Sequence, residues 1–591
     1  MIQQLETFIN NFLIEKFGIQ KNVICLKPTN KNFEGDYSFN VFQILKQLND
    51  KSLSPTLIYD AISTKLSDEL NFIDKITYTN GFINISISDS YLLSSFKKLD
   101  FIYLDSNKKK FLIEYCSPNT NKPLHLGHVR NILIGYSLSQ ILKFAGHDVI
   151  TTNLLNDRGI HICKPMLAYI KWGNNATPNE LNIKGDKFVG NFYVLFENEY
   201  KKQVNDLLNK GYSKEFALRE APIIKEAQEL LKKWEQKDEK VLTLWNNINN
   251  WVIKGFVDTF EKLNLSFYSI YNKIYKESEI FEFGKQIIYD GLKKGIFQKK
   301  QDGTIYIDLT DEGLDEKVLL RPDETSLYIT QDIALAILRY EEFKPDIFIY
   351  VVGNEQNYHF KVLKAILKKL NFPWYNKIFH LAHGMIELPT GKMKSREGTV
   401  IDADDLIQQV YNEAKIIAKN YGKLELENET EFNKITYKIA LAALKYFILK
   451  IDPFKNVLYD AKNSVDFDGN TGSFILYTYA RINSLLKKSE QYSYDFNPSN
   501  IILNKKEREL ILHLYNYYFA IYDAVNEYNP AKIANYVYAL CKEYNNFYQE
   551  IPILKEPNPD IKNFRLYLSL KCALCINKFF NLLGIETVEK M

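Results

Sequence analysis

Short apolar runs alternate with helical periodicity through the middle of the chain. Residues 111–113 form an apolar run typical of a buried strand, residues 129–144 place apolar side chains at helical spacing, and residues 148–155 are again strand-like. Gly146 suits the end of this helix, because glycine readily adopts the left-handed backbone of a helix C-terminus. The order strand, helix, strand predicts a right-handed parallel unit, and such sheets bind ligands where strands end and helices begin.

The two ends of the chain show different patterns. Residues 1–104 combine helical stretches with strand-like residues 76–78 and 82–86, which predicts a small α/β domain. Residues 404–591 are helical in periodicity without an internal repeat, which predicts an all-α bundle. The predicted helices of this bundle span residues 439–448, 474–486, 509–528, 532–548 and 566–583.

The central region, residues 105–403, is predicted to form a Rossmann-type α/β domain with a helical insertion at about residues 165–303. We expect the chain to return from the insertion to the parallel sheet through residues 304–308 and 317–320. The predicted fold class is therefore multidomain α/β, with a small α/β domain before the central domain and an all-α bundle after it.

Two histidines, His125 and His128, lie where the first helix of the central region is predicted to begin. Imidazoles in the first turn of a helix can donate hydrogen bonds to an anion, which the helix dipole and the free backbone N–H groups also attract. Gly127 between them leaves room for a flat base or a ribose near the backbone. Alone, the pattern also fits a surface histidine beside a helix-capping one, or part of a metal site.

A second basic signature, KMKSR at residues 392–396, is flanked by glycines. Lysines and an arginine in such a loop can neutralise a triphosphate and its leaving pyrophosphate. A lysine-rich loop by itself is more often solvated surface. Because it follows a histidine pair on the same chain, we interpret both signatures as parts of one nucleotide site.

These motifs resemble the HIGH and KMSKS motifs of class I aminoacyl-tRNA synthetases. Residues 117–128, 320–334, 349–360 and 384–398 resemble the arginyl-tRNA synthetase family in particular, and the resemblance covers essentially the whole chain. Ser395 stands where the second lysine of KMSKS falls, and Lys122 occupies the place of an upstream lysine thought to substitute for it. The resemblance assigns catalysis to His125, His128, Lys122, Lys392 and Lys394, and ATP binding to His125, Gly127, His128, Met393 and Ser395.

A guanidinium substrate requires carboxylates that match its planar fork of donors. The resemblance assigns arginine binding to Asn119, Tyr328, Asp332, Gln356, Glu277 and Glu114. Among these, Tyr328, Asp332 and Glu277 would bind the guanidinium, and Asn119 and Gln356 the α-amino end. Tyr328 and Asp332 are four residues apart on a predicted helix and so share a face, although exposed polar residues of an ordinary amphipathic helix would show the same spacing. Glu114 could equally orient its neighbours.

The reaction implied by the resemblance is ATP-dependent ligation of L-arginine to its tRNA. The arginine carboxylate would attack the α-phosphorus of ATP to give arginyl-adenylate and pyrophosphate, and the terminal ribose of tRNA(Arg) would then accept the arginyl group. Mg²⁺ would accompany the nucleotide, with no metal bound by the protein alone. Members of this family typically activate arginine only with tRNA bound.

Contacts with tRNA are expected in both flanking domains, at the outer corner of the tRNA for the first and at the anticodon for the second. The proposed residues are Phe82, Asn84, Tyr477, Tyr479, Arg481 and Met591. Exposed bases are recognised by stacking and by hydrogen bonds to their edges, which suits aromatic, amide and guanidinium side chains. The alternative is that the aromatic residues are core and Asn84 is an ordinary strand residue.

Composition adds limits but no function. The chain has 591 residues, 46% of them hydrophobic, and a net charge of only +3, so bulk charge does not indicate a nucleic-acid partner. No apolar segment is long enough for a membrane span and no signal peptide is evident, which predicts a cytoplasmic protein. Cys572 and Cys575 are expected to pack in a helical core. A monomer is the family default.

Two other functions compete with this interpretation. A different class I synthetase or a smaller nucleotidyltransferase would share the histidine motif, but would not account for Tyr328 and Asp332 together with both flanking domains. A tRNA-binding protein without catalytic activity would have no need of His125, His128 and Lys122. The sequence therefore favours an arginine-activating enzyme.

Overall fold

The computed structural model describes residues 1–19, 24–30, 32–48, 53–387, 401–420 and 428–591. It contains an N-terminal α/β domain, a central domain built on a parallel sheet, and a C-terminal helical bundle, as the sequence predicts. None of the described helices combines the length and the apolar composition that crossing a membrane would require.

The N-terminal domain packs helices on a four-stranded antiparallel sheet of order β1-β2-β4-β3. Asn80 and Gly81 both have positive φ, the backbone that a tight two-residue hairpin between β3 and β4 requires. The elements are α1 (Ile2–Phe17), β1 (Lys27–Pro28), β2 (Tyr37–Asn40), α2 (Val41–Leu48), α3 (Pro55–Glu69), β3 (Ile73–Thr79), β4 (Phe82–Ile87) and α4 (Asp89–Phe96).

The central domain contains a five-stranded parallel sheet of order β12-β11-β5-β6-β7. Its elements are β5 (Lys110–Tyr115), α5 (Leu126–Phe144), β6 (Asp148–Leu155), α6 (Ile160–Trp172), α7 (Gly185–Asn209), α8 (Lys214–Glu220), α9 (Pro222–Glu235), α10 (Glu239–Lys262), α11 (Phe267–Ile270), β7 (Lys273–Lys276), α12 (Glu277–Lys293), β8 (Gln298–Lys299), β9 (Ile305–Ile307), β10 (Lys317–Leu320), α13 (Tyr328–Phe343), β11 (Ile347–Gly353), α14 (Asn357–Lys369), β12 (Ile378–His383), β13 (Ile386–Glu387) and α15 (Ala403–Asn420).

One sequence prediction about this sheet is wrong. The strands at residues 305–307 and 317–320 do not join the parallel sheet but form a separate antiparallel sheet of order β10-β9-β8. The chain returns earlier, through β7, which pairs with β6 although it lies inside the predicted insertion. β7 has only four residues at the edge of the sheet, too few to give a strand signal in the sequence.

The C-terminal region is helical, and its short strand β14 pairs in parallel with β13. Its elements are α16 (Glu429–Leu449), β14 (Val457–Leu458), α17 (Ala461–Ser464), α18 (Gly472–Lys487), α19 (Lys505–Tyr515), α20 (Tyr517–Asn526), α21 (Ala531–Glu550) and α22 (Pro559–Leu582). The single helix predicted at residues 509–528 is two helices separated at Asn516. Cys572 and Cys575 are fully buried in α22, as expected of core residues. Single turns of 3-10 helix occur at Thr310–Glu312, Asn354–Gln356, Tyr375–Lys377 and Pro498–Asn500.

The N-terminal domain is held against the helical bundle by ion pairs as well as by a shared hydrophobic core. Arg508 of α19 binds Asp36 through both terminal nitrogens, at 2.5 and 2.9 Å, and donates from Nε to Asp89 at 2.8 Å. The hydroxyl of Tyr518 donates to Glu6 at 3.0 Å. A two-armed guanidinium–carboxylate contact fixes orientation as well as distance, so the two flanking domains are joined in a defined arrangement.

Candidate active site

The parallel sheet is doubly wound, because the chain extends it in both directions from β5. Strands β6 and β7 lie on one side of β5, and β11 and β12 on the other. Asn131 of α5 lies between the ends of β5 and β11: its Nδ2 donates to the carbonyl of Val351 at 2.5 Å, and its Oδ1 accepts from the N–H of Cys116 at 2.6 Å. Ligands of doubly wound sheets bind at this change of direction, beyond the carboxyl ends of the strands.

The two histidines form a reciprocal cap at the beginning of α5. Nδ1 of His125 accepts from the N–H of Gly127 at 3.1 Å, and Nδ1 of His128 accepts from the N–H of His125 at 3.1 Å. Burial, with the charge of Lys122 adding to it, lowers the pKa of His125 to about 4, and burial lowers the pKa of His128 well below its usual range. Both rings are therefore neutral at pH 7, and the single proton of each must lie on Nε2.

Tight packing surrounds this cap. The ring centroids of His125 and His128 are 3.9 Å apart. A Cβ atom at Gly127 would lie 3.0 Å from Cε1 of His125, so glycine at this position keeps the His125 ring in place. Lys122 lies close enough to influence the pKa of both histidines. The structure thus brings together the described residues that the first motif assigns to the nucleotide.

The second signature, with Lys392, Met393, Lys394 and Ser395, lies outside the described residues, but both flanks of that segment are described. On one side, the carbonyls of Gly384 and Met385 accept from Arg130 at 2.7 and 2.9 Å. On the other side, His125 forms an antiparallel bridge with Asp402. Both flanks are therefore fixed to the first turns of α5.

Arg130 is a residue whose importance the sequence reasoning missed. Its guanidinium is fully buried, and it also donates to the carbonyls of Pro453 at 3.1 Å and Lys455 at 2.6 Å. Burial lowers its pKa to about 10, so it stays charged at neutral pH. One side chain thus joins α5, the segment after β12 and the start of the C-terminal region. A charged residue on the same helix face as buried Leu126 and Leu133 was the available signal.

Glu277 is the first residue of α12 and is only 4% exposed. Its Oε1 accepts from Nε2 of Gln331 at 2.9 Å, and its Oε2 has no hydrogen-bond partner. Burial, with smaller contributions from the nearby carboxylates Asp157 and Asp332, raises the pKa of Glu277 to about 8 against the opposing charge of Arg158. A buried carboxyl oxygen without a hydrogen-bond partner is costly, which makes this atom a candidate binding point for a cationic ligand.

Asp332 and Tyr328 lie on α13, as their spacing predicts. Oδ2 of Asp332 is 2.5 Å from Nε2 of His359 on α14. Tyr328 is about half exposed, and its ring stacks on that of His161 with centroids 6.5 Å apart. Asp332 and Tyr328 are both close enough to Glu277 for their charges to interact with it, so the three predicted guanidinium ligands occupy one region.

The other predicted arginine ligands are placed differently. Glu114 is buried and forms an ion pair with Arg339 of α13, while its Oε1 accepts from Ser117 at 2.7 Å. It thereby connects β5 to the helix that carries Asp332. Asn119 follows β5 and forms a bridge with Asn156, whereas Gln356 is exposed in the turn after β11.

A second group that sequence reasoning missed joins β6 to α12. The carboxylate of Asp157 accepts from the N–H of Ser278 at 2.9 Å and from its hydroxyl at 2.8 Å. These bonds hold the beginning of α12, and therefore Glu277, at the carboxyl end of β6. Because the two residues are far apart in the chain, no local pattern indicates this contact.

The residues predicted to contact tRNA differ in accessibility. Phe82 begins β4 and is 41% exposed, whereas Asn84 is only 2% exposed and its amide lies 3.5 Å from the hydroxyl of Thr77. In the bundle, Arg481 lies over the ring of Tyr477 at 4.8 Å and donates to Asn545 at 2.5 Å. Tyr479 and Met591 are partly buried against the core.

A doubly wound sheet with paired histidines at the first helix after its central strand fits a class I tRNA synthetase, and the family models show this class. The family model for the catalytic domain of class I (R) tRNA synthetases matches residues 92–460. The models for the arginyl tRNA synthetase N-terminal domain and the DALR anticodon-binding domain match residues 3–87 and 475–591.

Whole-chain comparisons specify the family further. The chain is 44% identical to an arginine–tRNA ligase of Amoebophilus asiaticus, covering 96% of both chains, and 44% identical to one of Parabacteroides distasonis, covering 100% of this chain and 99% of the relative. It therefore belongs to the arginyl-tRNA synthetase family and ligates arginine to tRNA(Arg) at the expense of ATP.

Solved structures agree with the fold. The Thermus thermophilus arginyl-tRNA synthetase has a TM-score of 0.81 at 23% identity, with all of both chains covered. The Plasmodium falciparum enzyme has a TM-score of 0.78 at 21% identity, covering 100% of this chain and 99% of the other. The whole-chain arginine–tRNA ligase relatives, not these structures, speak against the two competing interpretations, another class I enzyme and a binder without activity.

Proposed function

We propose that arginine activation takes place beyond the carboxyl ends of the parallel strands, a region called the crevice below, and is divided between a nucleotide half for ATP and an arginine half for the amino acid. His125, Gly127, His128 and Lys122 form the described part of the nucleotide half. Glu277, Asp332 and Tyr328 form the part of the arginine half that would bind the guanidinium. The observation that carries the proposal is the unpartnered Oε2 of the buried Glu277, which follows a strand of the same parallel sheet as a pair of neutral histidines whose Nε2–H groups are not used for capping.

In the nucleotide half, the histidines would act as neutral donors. Because their Nδ1 atoms are occupied by backbone N–H groups, their Nε2–H groups can donate to the phosphates of ATP as arginine attacks the α-phosphorus. Attack by the arginine carboxylate needs no protein nucleophile, so the chain contributes orientation and stabilisation of charge. Lys122 would supply positive charge beside the histidines. Lys392, Lys394, Met393 and Ser395 keep their predicted roles at the triphosphate.

In the arginine half, two acids and a tyrosine would bind the substrate side chain. Oε2 of Glu277 has no donor from the protein, and a guanidinium provides up to five. Asn119 and Gln356, which follow the adjacent strands β5 and β11, would bind the α-amino end. Glu114 would act through Arg339 by keeping α13 against β5.

Mg²⁺ would enter with the triphosphate. Within the described ranges of the chain, no three His, Cys, Asp or Glu side chains come together as a metal site. We propose that phosphate oxygens and water would coordinate the Mg²⁺, since this ion keeps several of its waters when it binds with a nucleotide. The ion would offset phosphate charge.

The tRNA would span the two flanking domains. Exposed Phe82 suits stacking on a base at the outer corner, whereas Asn84 would need to leave its buried position to reach one. Tyr477, Tyr479, Arg481 and Met591 are proposed for the anticodon. We further propose a monomer that acts in the cytoplasm, where its six unpaired cysteines would stay reduced, and arginine activation that depends on bound tRNA.

ATP–pyrophosphate exchange with and without tRNA tests this proposal, with Asp332→Asn as the diagnostic variant. The asparagine side chain would keep the shape of the aspartate but lose its charge, so the KM for arginine should rise by about tenfold to a hundredfold. The KM for ATP should stay within about twofold. Equal increases in both KM values would contradict a separate arginine half. Exchange by the wild-type enzyme in the absence of tRNA would contradict tRNA-dependent activation.

A further inference from the structure

Gln331 precedes Asp332 on α13, contacts Glu277 and is only 4% exposed. Its Nε2 donates to Oε1 of Glu277 at 2.9 Å and to the hydroxyl oxygen of Ser326 at 3.0 Å. Both N–H bonds of the amide are therefore used. Its Oε1 is buried and has no hydrogen-bond partner.

Two neighbouring acceptors in this region thus have no donor from the protein: Oε2 of Glu277 and Oε1 of Gln331. Buried acceptors almost always find donors. Two acceptors without donors, on side chains that are hydrogen-bonded to each other, therefore indicate that a ligand supplies the donors. A guanidinium can do so, because its N–H groups diverge in a fixed plane and can reach two acceptors at once.

We propose that Gln331 is a further specificity-determining residue, which positions Glu277 through its amide nitrogen and accepts a hydrogen bond from the substrate guanidinium through its amide oxygen. This inference rests on the proposed function of the arginine half. The orientation of the amide follows from its partners in the state that binds a guanidinium: Glu277 is then deprotonated and can only accept, so the end of the amide that faces Glu277 and Ser326 must donate. The oxygen must then lie at the other end.

The chemistry at this position has consequences for selectivity. A cationic side chain here would pair with Glu277 and remove its charge from the substrate. An aliphatic side chain would leave Oε1 of Glu277 without its donor. An amide oxygen also disfavours a neutral ureido analogue of arginine, such as citrulline, because a ureido oxygen would face another acceptor. Gln331 should therefore contribute to discrimination between a guanidinium and a ureido group.

The test compares Gln331→Met with Ser326→Ala in the full-length enzyme with tRNA. The methionine side chain would retain volume but neither donate nor accept, whereas S326A removes only the other hydrogen bond of Gln331. We expect Q331M to raise the KM for arginine by about tenfold and to reduce the preference for arginine over citrulline, with the KM for ATP unchanged. S326A should change the KM for arginine and the preference for arginine over citrulline by less than about threefold. Equal effects of Q331M and S326A, or none from Q331M, would overturn the inference.

A double-mutant cycle separates this inference from the proposed function. Because part of the effect of Gln331 passes through Glu277, the variant E277Q/Q331M should have an arginine KM clearly below the product of the two single effects. Additive effects would overturn the positioning role. If E277Q itself left the arginine KM unchanged, the proposed function of Glu277 would fail as well. Gln331→Asn, which keeps an amide but shortens its reach, should show the same selective rise in arginine KM and covers the case in which Q331M does not fold.

Discussion

The nucleotide half and the arginine half of the crevice are built in different ways. The histidines of the nucleotide half accept hydrogen bonds from the backbone N–H groups of His125 and Gly127, all within a single helical turn. The acids of the arginine half come from α12 and α13 and depend on distant partners: Asp157 fixes the beginning of α12, and His359 contacts Asp332. A short motif can therefore specify the first half, whereas the second exists only in the folded chain.

The largest effect should come from removing the donor of His128. In His128→Asn, the amide oxygen can replace Nδ1 as acceptor for the backbone, but nothing replaces Nε2–H. We expect kcat for ATP–pyrophosphate exchange to fall by about a hundredfold to a thousandfold, with little change in the KM for arginine.

His128→Gln is the matched control for this variant. Its longer amide can reach the place of Nε2 but leaves the backbone N–H of His125 without its acceptor. It should lose helix stability, by about 1 kcal/mol, and yet keep more activity than H128N. The opposite order of activities would show that capping, not donation to phosphate, is the role of this histidine.

The affinity for arginine should depend on pH near neutrality, whereas the protonation of the histidines in the nucleotide half should not. Because burial raises the pKa of Glu277 to about 8, this carboxyl is mostly protonated at pH 7, and binding a guanidinium requires its proton to leave. Arginine affinity should therefore rise with pH through this pKa, by roughly tenfold to thirtyfold between pH 6.5 and pH 8.5. Isothermal titration calorimetry with arginine at several pH values would measure this change in affinity.

Glu277→Gln provides the reference for this pH dependence, since its side chain cannot titrate. The E277Q variant should bind arginine weakly, and its affinity for arginine should not change between pH 6.5 and pH 8.5. A slope that persisted in E277Q would assign the titration to another group. The histidines, whose pKa values are lowered by burial, stay neutral throughout this range.

The smallest effect should lie outside both halves, at Phe82. Phe82→Ala removes an exposed ring that could stack on a base, so the KM for tRNA should rise by about fivefold to tenfold. Exchange at saturating tRNA should be unchanged. Tyr268→Ala, which removes an exposed ring of the central domain, is the control and should leave the tRNA KM unaltered; a similar rise in both variants would exclude a specific role for Phe82.

The same contrast explains what the sequence could predict. Periodicity predicted β6 at residues 148–155 with the observed bounds, and most of α5, because both are regular and buried. It did not separate α19 from α20, since apolar spacing continues across Asn516. Arg130, Asp157 and Gln331 were not found, because their partners lie in other elements and only the fold brings them together.

The central claim, that selection of arginine and handling of ATP are separable, is tested most directly by ATP–pyrophosphate exchange with each of the twenty amino acids, with tRNA present, for the wild-type enzyme, H128N and D332N. We expect exchange with arginine alone for the wild type, a lower kcat at unchanged arginine KM for H128N, and a raised arginine KM at unchanged ATP KM for D332N. An equal rise in the KM for arginine and the KM for ATP in D332N, or a raised arginine KM in H128N, would show that the two functions are not separable.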